Sequence, residues 1–132
     1  MYLLDTNICI YIIKQKPIEV LHRLSEISPV DIGISSITVA ELEFGVRKSK
    51  FVEQNEHALR LFLHPFEIHV FDDICAHHYG IIRSELEKQG EVIGSMDMLI
   101  AAQALALEKR LVTNNVREFK KVPRLQIENW VE

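Results

Sequence analysis

Acidic side chains or their amides follow several predicted elements of the chain: Asp5, Glu41, Asp97 and the group Asn114, Asn115 and Glu118. If the strands are parallel, these side chains meet at one edge of the sheet, where the carboxylates repel one another unless cations lie among them. An acidic site without His or Cys favours a hard cation, Mg²⁺ or Mn²⁺. Such a metal activates a bound water and offsets charge on a phosphodiester oxygen, so phosphodiester hydrolysis is the best-matched reaction.

Asp5 has two interpretations that the sequence leaves open. The apolar run before it, residues 1–4, predicts a buried parallel strand, and ligands of open α/β sheets bind just beyond the carboxyl ends of the strands. This placement favours a role in chemistry. Alternatively, Asp5 or Thr6 simply caps the next helix, which both residue types do well.

Glu41 is predicted to lie about one and a half turns into a helix that begins after Ser35 and Ser36, two possible N-caps at the end of the second strand. Its neighbour Glu43 lies about 200° away around the helix axis, so only one of the two can face a given site. A glutamate on a helix usually faces solvent. The position after the second strand is what makes Glu41 a candidate.

Asp97 lies in the first turn of a predicted helix, residues 93–107, that is apolar on nearly all sides and therefore belongs in the interior. An acid there could serve only the helix dipole, which favours a negative charge by about 0.3–1 kcal/mol. A buried carboxylate is otherwise normally paired or bound to a metal. We therefore expect Asp97 to be held for a cation.

The predicted elements alternate between strands and helices. Besides the N-terminal run, strands are expected at residues 31–35, 67–71, 109–113 and 125–131, the last at the edge of the sheet. Helices are expected at residues 8–13, 18–27, 37–42, 51–63, 73–89 and 93–107, the fifth of them capped by Asp72 and ended by Gly90. This order predicts one α/β domain, residues 1–132, with a mainly parallel central sheet in a three-layer α/β/α arrangement.

Composition excludes several classes of protein. With 48% hydrophobic and 26% charged residues, the 132-residue chain has enough apolar side chains for a core. No apolar run approaches the roughly 18 residues of a membrane span, and we expect a cytoplasmic protein. Cys9 and Cys75 have no metal-binding spacing and are expected to be reduced and buried. The histidines show no zinc-ligand spacing either.

The net charge of −4 argues against a protein that coats nucleic acid by general electrostatic attraction. Residues 109–124 are a local exception, because this segment has six basic residues against the single acid Glu118. Such a run is most often a solvated surface, unless it lies beside a site.

Four motifs in order resemble those of PIN-domain ribonucleases, and specifically of VapC-type toxins of bacterial type II toxin–antitoxin systems. They are LLDTN at residues 3–7, SSITVAELEFG at 35–45, IGSMDMLIAA at 93–102, and LVTNNVREF at 111–119 with the closing ENWV at 128–131. The resemblance spans the whole chain, and the four motifs together are far more specific than any one of them.

The resemblance implies a Mg²⁺-dependent endoribonuclease, with Mn²⁺ as a possible substitute. Asp5, Glu41 and Asp97 would form its acidic core, with Asp5 and Asp97 as the metal ligands. Thr6 and Thr113 would assist by hydrogen bonding.

One departure from the family pattern concerns the fourth acid. Where many relatives have an aspartate after the last core strand, this chain has Asn115, and Glu118 follows three residues later. An asparagine can ligate through its oxygen but brings no charge. Either Glu118 supplies the fourth acid or a second metal position is weak, and we therefore expect a single metal.

The resemblance also implies partners. These are a cognate VapB-type antitoxin whose tail occupies a groove of the toxin, a second copy of the chain in a homodimer, and operator DNA reached through the antitoxin in a larger complex. The ending Asn-Trp-Val after a Thr-Asn-Asn motif resembles enterobacterial toxins that cut initiator tRNA in the anticodon stem-loop, which suggests tRNA as the substrate. The basic segment 109–124 would then lie beside the acidic pocket and guide RNA phosphates.

Two alternatives belong to other functional classes. A phosphate monoesterase on a similar α/β sheet could use Asp5 as its nucleophile, but the second aspartate that such enzymes need two positions later is Asn7 here. The other alternative is a catalytically silent PIN-like binding module, in which the acids only cap helices.

Overall fold

The computed structural model describes all 132 residues and contains one five-stranded sheet in which every pair of neighbouring strands is parallel. The strand order is β3-β2-β1-β4-β5. The strands are β1 Tyr2–Leu4, β2 Ile32–Ser35, β3 Glu67–His69, β4 Arg110–Val112 and β5 Ile127–Glu128. The predicted parallel sheet is confirmed, with β5 at its edge.

Seven α-helices surround the sheet. They are α1 Thr6–Lys14, α2 Ile18–Ser25, α3 Ser36–Arg47, α4 Val52–Leu63, α5 Asp73–Gln89, α6 Ser95–Leu107 and α7 Val116–Phe119. The predicted caps are present: Ser35 accepts a hydrogen bond from the Ile37 backbone, Asp72 accepts one from Cys75, and Gly90 ends α5 in the left-handed conformation. The one-turn helix α7 was not predicted, because four residues are too few for a periodic pattern.

The core consists of two layers, one on each face of the sheet. Successive strand residues point to opposite faces, so Leu3 and Leu111 pack with α5 and α6, whereas Leu4 and Val112 pack with α1 to α4. All four of these side chains are fully buried. The predicted three-layer α/β/α arrangement is therefore confirmed.

The third strand is shorter than predicted because side chains replace its backbone pairing. Residues 67–71 were expected, but β3 ends at His69. Beyond that point, the Gln103 side-chain amide donates to the carbonyls of His69 and Val70, at 2.9 and 3.1 Å, and the Phe71 backbone donates to the Ser36 hydroxyl. These bonds satisfy the backbone without a neighbouring strand.

Three other strand predictions were too long at their ends. Asp31 belongs to a short 3₁₀ helix, Pro29–Asp31, instead of β2. Lys109 bonds to the carbonyl of Ala104 as part of the C-terminal cap of α6, so β4 begins at Arg110. In the last segment, the Asn129 side chain accepts a hydrogen bond from the backbone of Val131, which bends the chain after Glu128.

Cys9 and Cys75 are both free and buried, as expected. None of the helices combines the length and the apolar character that a membrane crossing requires.

Candidate active site

Two neighbouring strands bring Asp5 and Thr113 together although they are far apart in the sequence. In the β1–β4 pair, Leu4 lies opposite Val112, so the residue that follows each strand lies at the carboxyl ends of the strands. The Asp5 backbone donates to the carbonyl of Val112 at 2.9 Å. The Thr113 hydroxyl donates to Asp5 Oδ2 at 2.8 Å, and Asp5 is only 4% exposed.

Asp5 is also the N-cap of α1, because its Oδ1 accepts a hydrogen bond of 2.8 Å from the Thr6 backbone. The two interpretations of Asp5 are therefore compatible, since one carboxylate oxygen caps the helix while the other faces Thr113. Burial raises the pKa of Asp5 above its ordinary value, and the charge of Glu41 adds to this effect. The hydrogen bonds from Thr113 and Thr6 oppose it by favouring the ionised form.

Glu41 faces Asp5 from the third helix. Its Oε1 accepts a hydrogen bond of 2.6 Å from the hydroxyl of Thr6. Thr6 therefore contacts both acids, Asp5 through its backbone and Glu41 through its side chain. Glu43 points elsewhere and pairs with Arg60 at 2.6 Å, as the helical geometry predicts.

Asp97 lies half-buried in the first turn of α6 and completes the cluster. Burial, together with the charges of Asp5, Glu41 and Glu118, raises its pKa to about 6. The Asp97 carboxylate forms no hydrogen bond and no ion pair within the chain. It is thus a carboxylate without a partner in a field of negative charge, which is costly in a buried position.

The other predicted residues lie beside this cluster with less direct contact. The Asn115 backbone donates to the Thr113 hydroxyl oxygen at 2.9 Å, and the Asn115 side chain forms no capping hydrogen bond. Glu118 lies in α7, where its carboxylate is 3.6 Å from the ammonium of Lys121. Of the four acids, only Glu118 has a cationic partner.

The donor set consists of oxygen atoms and has excess negative charge, which fits a hard divalent cation and not zinc. In their present rotamers, no three His, Cys, Asp or Glu side chains are grouped closely enough to hold a metal together. A cation held here would therefore take one or two of the carboxylates and fill its other positions with water and substrate phosphate.

The basic residues of segment 109–124 do not all lie beside the acids, and this expectation was wrong for three of the six. Lys109 and Arg110 lie at the amino-terminal end of β4, whereas the acids lie at the carboxyl ends of the strands. Arg124 lines the same cavity as Lys109 and pairs with Glu85 at 2.7 Å. The other three basic residues lie on or just after α7, namely Arg117, Lys120 and Lys121, and the ammonium of Lys121 is 3.6 Å from the Glu118 carboxylate.

Two buried polar residues near the site were missed by the sequence analysis. Thr38 and Gln103 are both fully buried. Thr38 lies one helical turn before Glu41, and its hydroxyl oxygen is 3.2 Å from that of Thr6. The signal for Gln103 was available, since it is a polar residue inside the apolar sequence of α6, and such a residue needs a hydrogen-bond partner.

A family model of the PIN domain matches residues 2–125. The chain is 47% identical over 131 residues to "Ribonuclease VapC2" of Rickettsia felis, covering 98% of both chains. It is 40% identical over 129 residues to "tRNA(fMet)-specific endonuclease VapC" of Shigella flexneri, covering 98% of this chain and 97% of that one. It also superimposes on the Rickettsia felis VapBC2 structure, which is bound to a promoter DNA fragment, with a TM-score of 0.92, 46% identity and 98% coverage of each chain.

The family match covers nearly the whole chain, and the relatives share its full length. The sequence motifs, the parallel sheet and the acidic edge agree with these similarities. The chain therefore belongs to the PIN-domain family and, within it, to the VapC ribonucleases.

Proposed function

We propose that this chain is the toxin of a type II toxin–antitoxin pair and acts as an endoribonuclease that depends on Mg²⁺, with Mn²⁺ as a substitute. The observation that supports metal dependence is the state of Asp97. Its carboxylate has no partner, and burial together with three neighbouring acids raises its pKa to about 6. A divalent cation would relieve this repulsion and hold Asp97 ionised at neutral pH.

Each acid has a distinct task in this proposal. Asp5 and Asp97 would hold the metal, while Glu41 would orient the attacking water and accept its proton. Thr113 and Thr6 fix the Asp5 carboxylate through hydrogen bonds of 2.8 Å each, so that its oxygens are already oriented when substrate binds. The metal, when bound, lowers the pKa of a coordinated water and offsets charge on the phosphate oxygens.

We propose that a single metal is sufficient. The fourth acidic position is Asn115, which brings no charge, and Glu118 is already 3.6 Å from Lys121. A second cation would therefore find fewer uncompensated charges than the first. Asn115 and Glu118 are assigned to the rim of the site, where they contact the substrate or its waters.

For the substrate, we propose tRNA, and initiator tRNA cut in the anticodon stem-loop in particular. The support is a 40% identical relative that is named as a tRNA(fMet)-specific endonuclease. Arg117, Lys120 and Lys121 lie on or just after α7, the helix that contains Glu118, and their charges are suited to backbone phosphates. Because both tRNA and operator DNA are in the cytoplasm, we place the protein there.

For the antitoxin, we propose that its tail binds the groove between α1, α3 and α4. This groove has a volume of about 340 Å³ and is largely apolar, with Glu41 among its lining residues. Apolar residues in the groove include Ile10, Ile13, Val46 and Leu59. A peptide seated there would reach the acidic site and block RNA. The solved Rickettsia felis complex, which is bound to promoter DNA, supports an antitoxin that contacts operator DNA.

A homodimer is proposed from the apolar residues exposed along β3 and α5. Ile68, Val70 and Ile74 are 43%, 70% and 58% exposed, and Ile81 continues this surface at 41%. Apolar residues clustered in this way commonly mark a protein interface.

The decisive experiment uses protein freed of antitoxin and incubated with total tRNA and with initiator tRNA, in Mg²⁺, in Mn²⁺ and in EDTA. Cleavage ends are mapped for the wild type and for Asp5→Ala and Asp97→Asn. The chain offers matched controls in Asp72, the N-cap of α5, and Asp73 in its first turn. Asp72→Ala and Asp73→Asn test the same helix positions outside the acidic cluster.

Discrete cuts that require the metal, disappear in the Asp5 and Asp97 variants and persist in the Asp72 and Asp73 variants would support the proposal. Cuts that survive both site variants would overturn the assignment of these acids. If small phosphate monoesters were hydrolysed and no RNA were cut, the monoesterase alternative would replace the proposal. The absence of both activities would indicate a binding module.

A further inference from the structure

Thr38 is a buried polar residue whose hydroxyl has a single hydrogen-bond partner. It lies on α3 three residues before Glu41, so the two residues are on the same face of the helix. The side chain is fully buried. Its Oγ1 is 3.2 Å from the Oγ1 of Thr6 and forms no other hydrogen bond. A buried hydroxyl is costly unless it is bonded, and a valine of the same shape would avoid that cost.

The direction of the hydrogen bonds follows from the number of protons. Each threonine hydroxyl has one proton to donate and two lone pairs to accept with. The Thr6 proton lies on the bond to Glu41 Oε1, since those oxygens are 2.6 Å apart and a carboxylate only accepts. The Thr38 proton must then lie on the bond to Thr6. In the opposite direction, the Thr38 proton would have no acceptor.

We propose that Thr38 is a positioning residue for the Glu41 carboxylate. By donating to Thr6, it turns the Thr6 proton toward Glu41 and holds that carboxylate in the direction of Asp5. The Thr6 backbone also donates to Asp5 Oδ1, so the chain of two hydroxyls fixes the relative positions of both acids. This inference rests on the proposed ribonuclease function.

A buried chain of this kind is well suited to positioning. Thr38 is on the same helix as Glu41, and Thr6 is on the helix that Asp5 caps, so the two hydroxyls join two rigid elements. Water does not compete for the Thr38 proton, because the side chain has no exposed surface. Hydrogen bonds that are already oriented need not reorganise when charge develops in the reaction.

The test compares Thr38→Val, which removes the hydroxyl and keeps the shape, with Thr38→Ser, which keeps the hydroxyl. Ser36→Ala is the matched control, since it removes a hydroxyl from the same helix whose partner is the Phe71 backbone. For tRNA cleavage at saturating Mn²⁺, we expect Thr38→Val to lower kcat about tenfold with little change in KM, as loss of one oriented hydrogen bond implies. Thr38→Ser and Ser36→Ala should retain wild-type kcat.

A crystal structure of Thr38→Val provides a readout that does not depend on activity. We expect the Glu41 carboxylate to turn away from Thr6 in this variant and to keep its position in Thr38→Ser. A loss of kcat in the serine variant as large as that in the valine variant would overturn the proposal, because the serine variant keeps the hydroxyl. So would an unmoved Glu41 in the valine variant. A wild type that cuts no RNA would instead refute the proposed function, and the crystal structure would still decide the role of Thr38.

Discussion

The hydroxyl of Thr113 donates a hydrogen bond of 2.8 Å to Oδ2 of Asp5, joining two residues 108 positions apart. The Thr113 oxygen in turn accepts a hydrogen bond of 2.9 Å from the backbone of Asn115. The register between β1 and β4 brings these groups together. One threonine thus links the most buried acid of the site to the loop that leads into α7.

Replacing Thr113 by valine should therefore affect both stability and activity. The variant leaves one oxygen of a buried carboxylate without a donor, and we expect the free energy of unfolding to fall by about 2 kcal/mol at pH 7. Because the Thr113 hydrogen bond lowers the pKa of Asp5, its loss should also raise that pKa and shift the acidic limb of the pH–activity profile upward. Urea unfolding would measure the change in stability. Cleavage rates between about pH 5 and 8 would measure the shift of the acidic limb.

Thr113→Ser is the control, because it keeps the hydroxyl and removes only a methyl group. We expect it to restore most of the lost stability and the wild-type pH profile. A valine variant as stable and as active as the wild type would contradict the assigned role of the Thr113 hydrogen bond.

The raised pKa of Asp97 predicts how the stability of the metal-free protein depends on pH. Ionised Asp97 is disfavoured in the fold, since its pKa rises from 3.8 to about 6. The resulting penalty is complete above about pH 6 and vanishes below the pKa of the unfolded chain. Asp97→Asn removes the penalty, so in EDTA the variant should be more stable than the wild type by roughly 1–3 kcal/mol at pH 7.5. The two should converge toward pH 4.

Bound metal should reverse this order of stability, so that the wild type becomes more stable than Asp97→Asn. Saturating Mg²⁺ stabilises the folded wild type by binding to it, and Asp97→Asn lacks one of the proposed ligands. Thermal unfolding in EDTA and in Mg²⁺, at pH 7.5 and at pH 5, would measure both effects. Asp73→Asn, with the same change in a first turn outside the cluster, should follow the wild type. A constant difference between Asp97→Asn and wild type at every pH would contradict the prediction.

Substitution of Gln103 is expected to lower the stability of the fold more than substitution at most other core positions. Its amide donates to the carbonyls of His69 and Val70, and its oxygen accepts from the hydroxyl of Ser35. Gln103→Met keeps the approximate volume and leaves these partners unpaired in the interior. We expect the free energy of unfolding to fall by about 2–4 kcal/mol, measured by urea denaturation.

Hydrogen exchange would show whether Gln103 acts where the structure places it. In Gln103→Met, amide protection should fall most around the end of β3 and the start of α3. Leu105→Met, a change in the same helix without hydrogen-bonding groups, should cost less than about 1.5 kcal/mol. A uniform loss of protection over the whole chain would show that Gln103 does not specifically secure β3.

Much of the acidic site could be predicted from the sequence, because its residues lie at junctions between strands and helices. Asp5 follows a recognisable apolar strand, and Asp97 stands out as the only charged residue of a mostly apolar helix. Whether Asp5 caps a helix or faces the site could not be decided, since each task uses a different oxygen of the same carboxylate. Only coordinates separate the two oxygens.

The features that were missed depend on contacts between distant residues. The hydroxyl of Thr38 bonds to a residue 32 positions away, and the amide of Gln103 bonds to carbonyls 33 and 34 positions away. The bonds of Gln103 also end β3 at His69, and Arg124 pairs with Glu85, which is 39 positions away. Periodicity and spacing describe neighbours along the chain and contain no information about such pairs.

The C-terminal segment is secured by Glu128, and this yields the last prediction. Its carboxylate pairs with Arg23 at 2.6 Å and Arg110 at 3.0 Å and accepts a hydrogen bond from the buried indole of Trp130. Burial acts to raise the pKa of Glu128, but these donors outweigh it and leave the pKa below its ordinary value. The stabilisation is therefore present above the pKa of the unfolded chain and is lost as the pH falls through the lower pKa of the fold.

Glu128→Gln should accordingly lower the free energy of unfolding by about 1–2 kcal/mol at pH 7, because it removes the charge that two guanidinium groups share. The difference from wild type should shrink as the pH falls below the ordinary glutamate value of 4.5 and through the lower pKa of Glu128 in the fold. Glu26→Gln is the control, since Glu26 is half-exposed and pairs with Arg23 at 3.3 Å, and it should change stability by less than about 0.5 kcal/mol. Equal effects of the two substitutions in urea titrations would mean that the closing segment is held by Trp130 packing and not by the charge of Glu128.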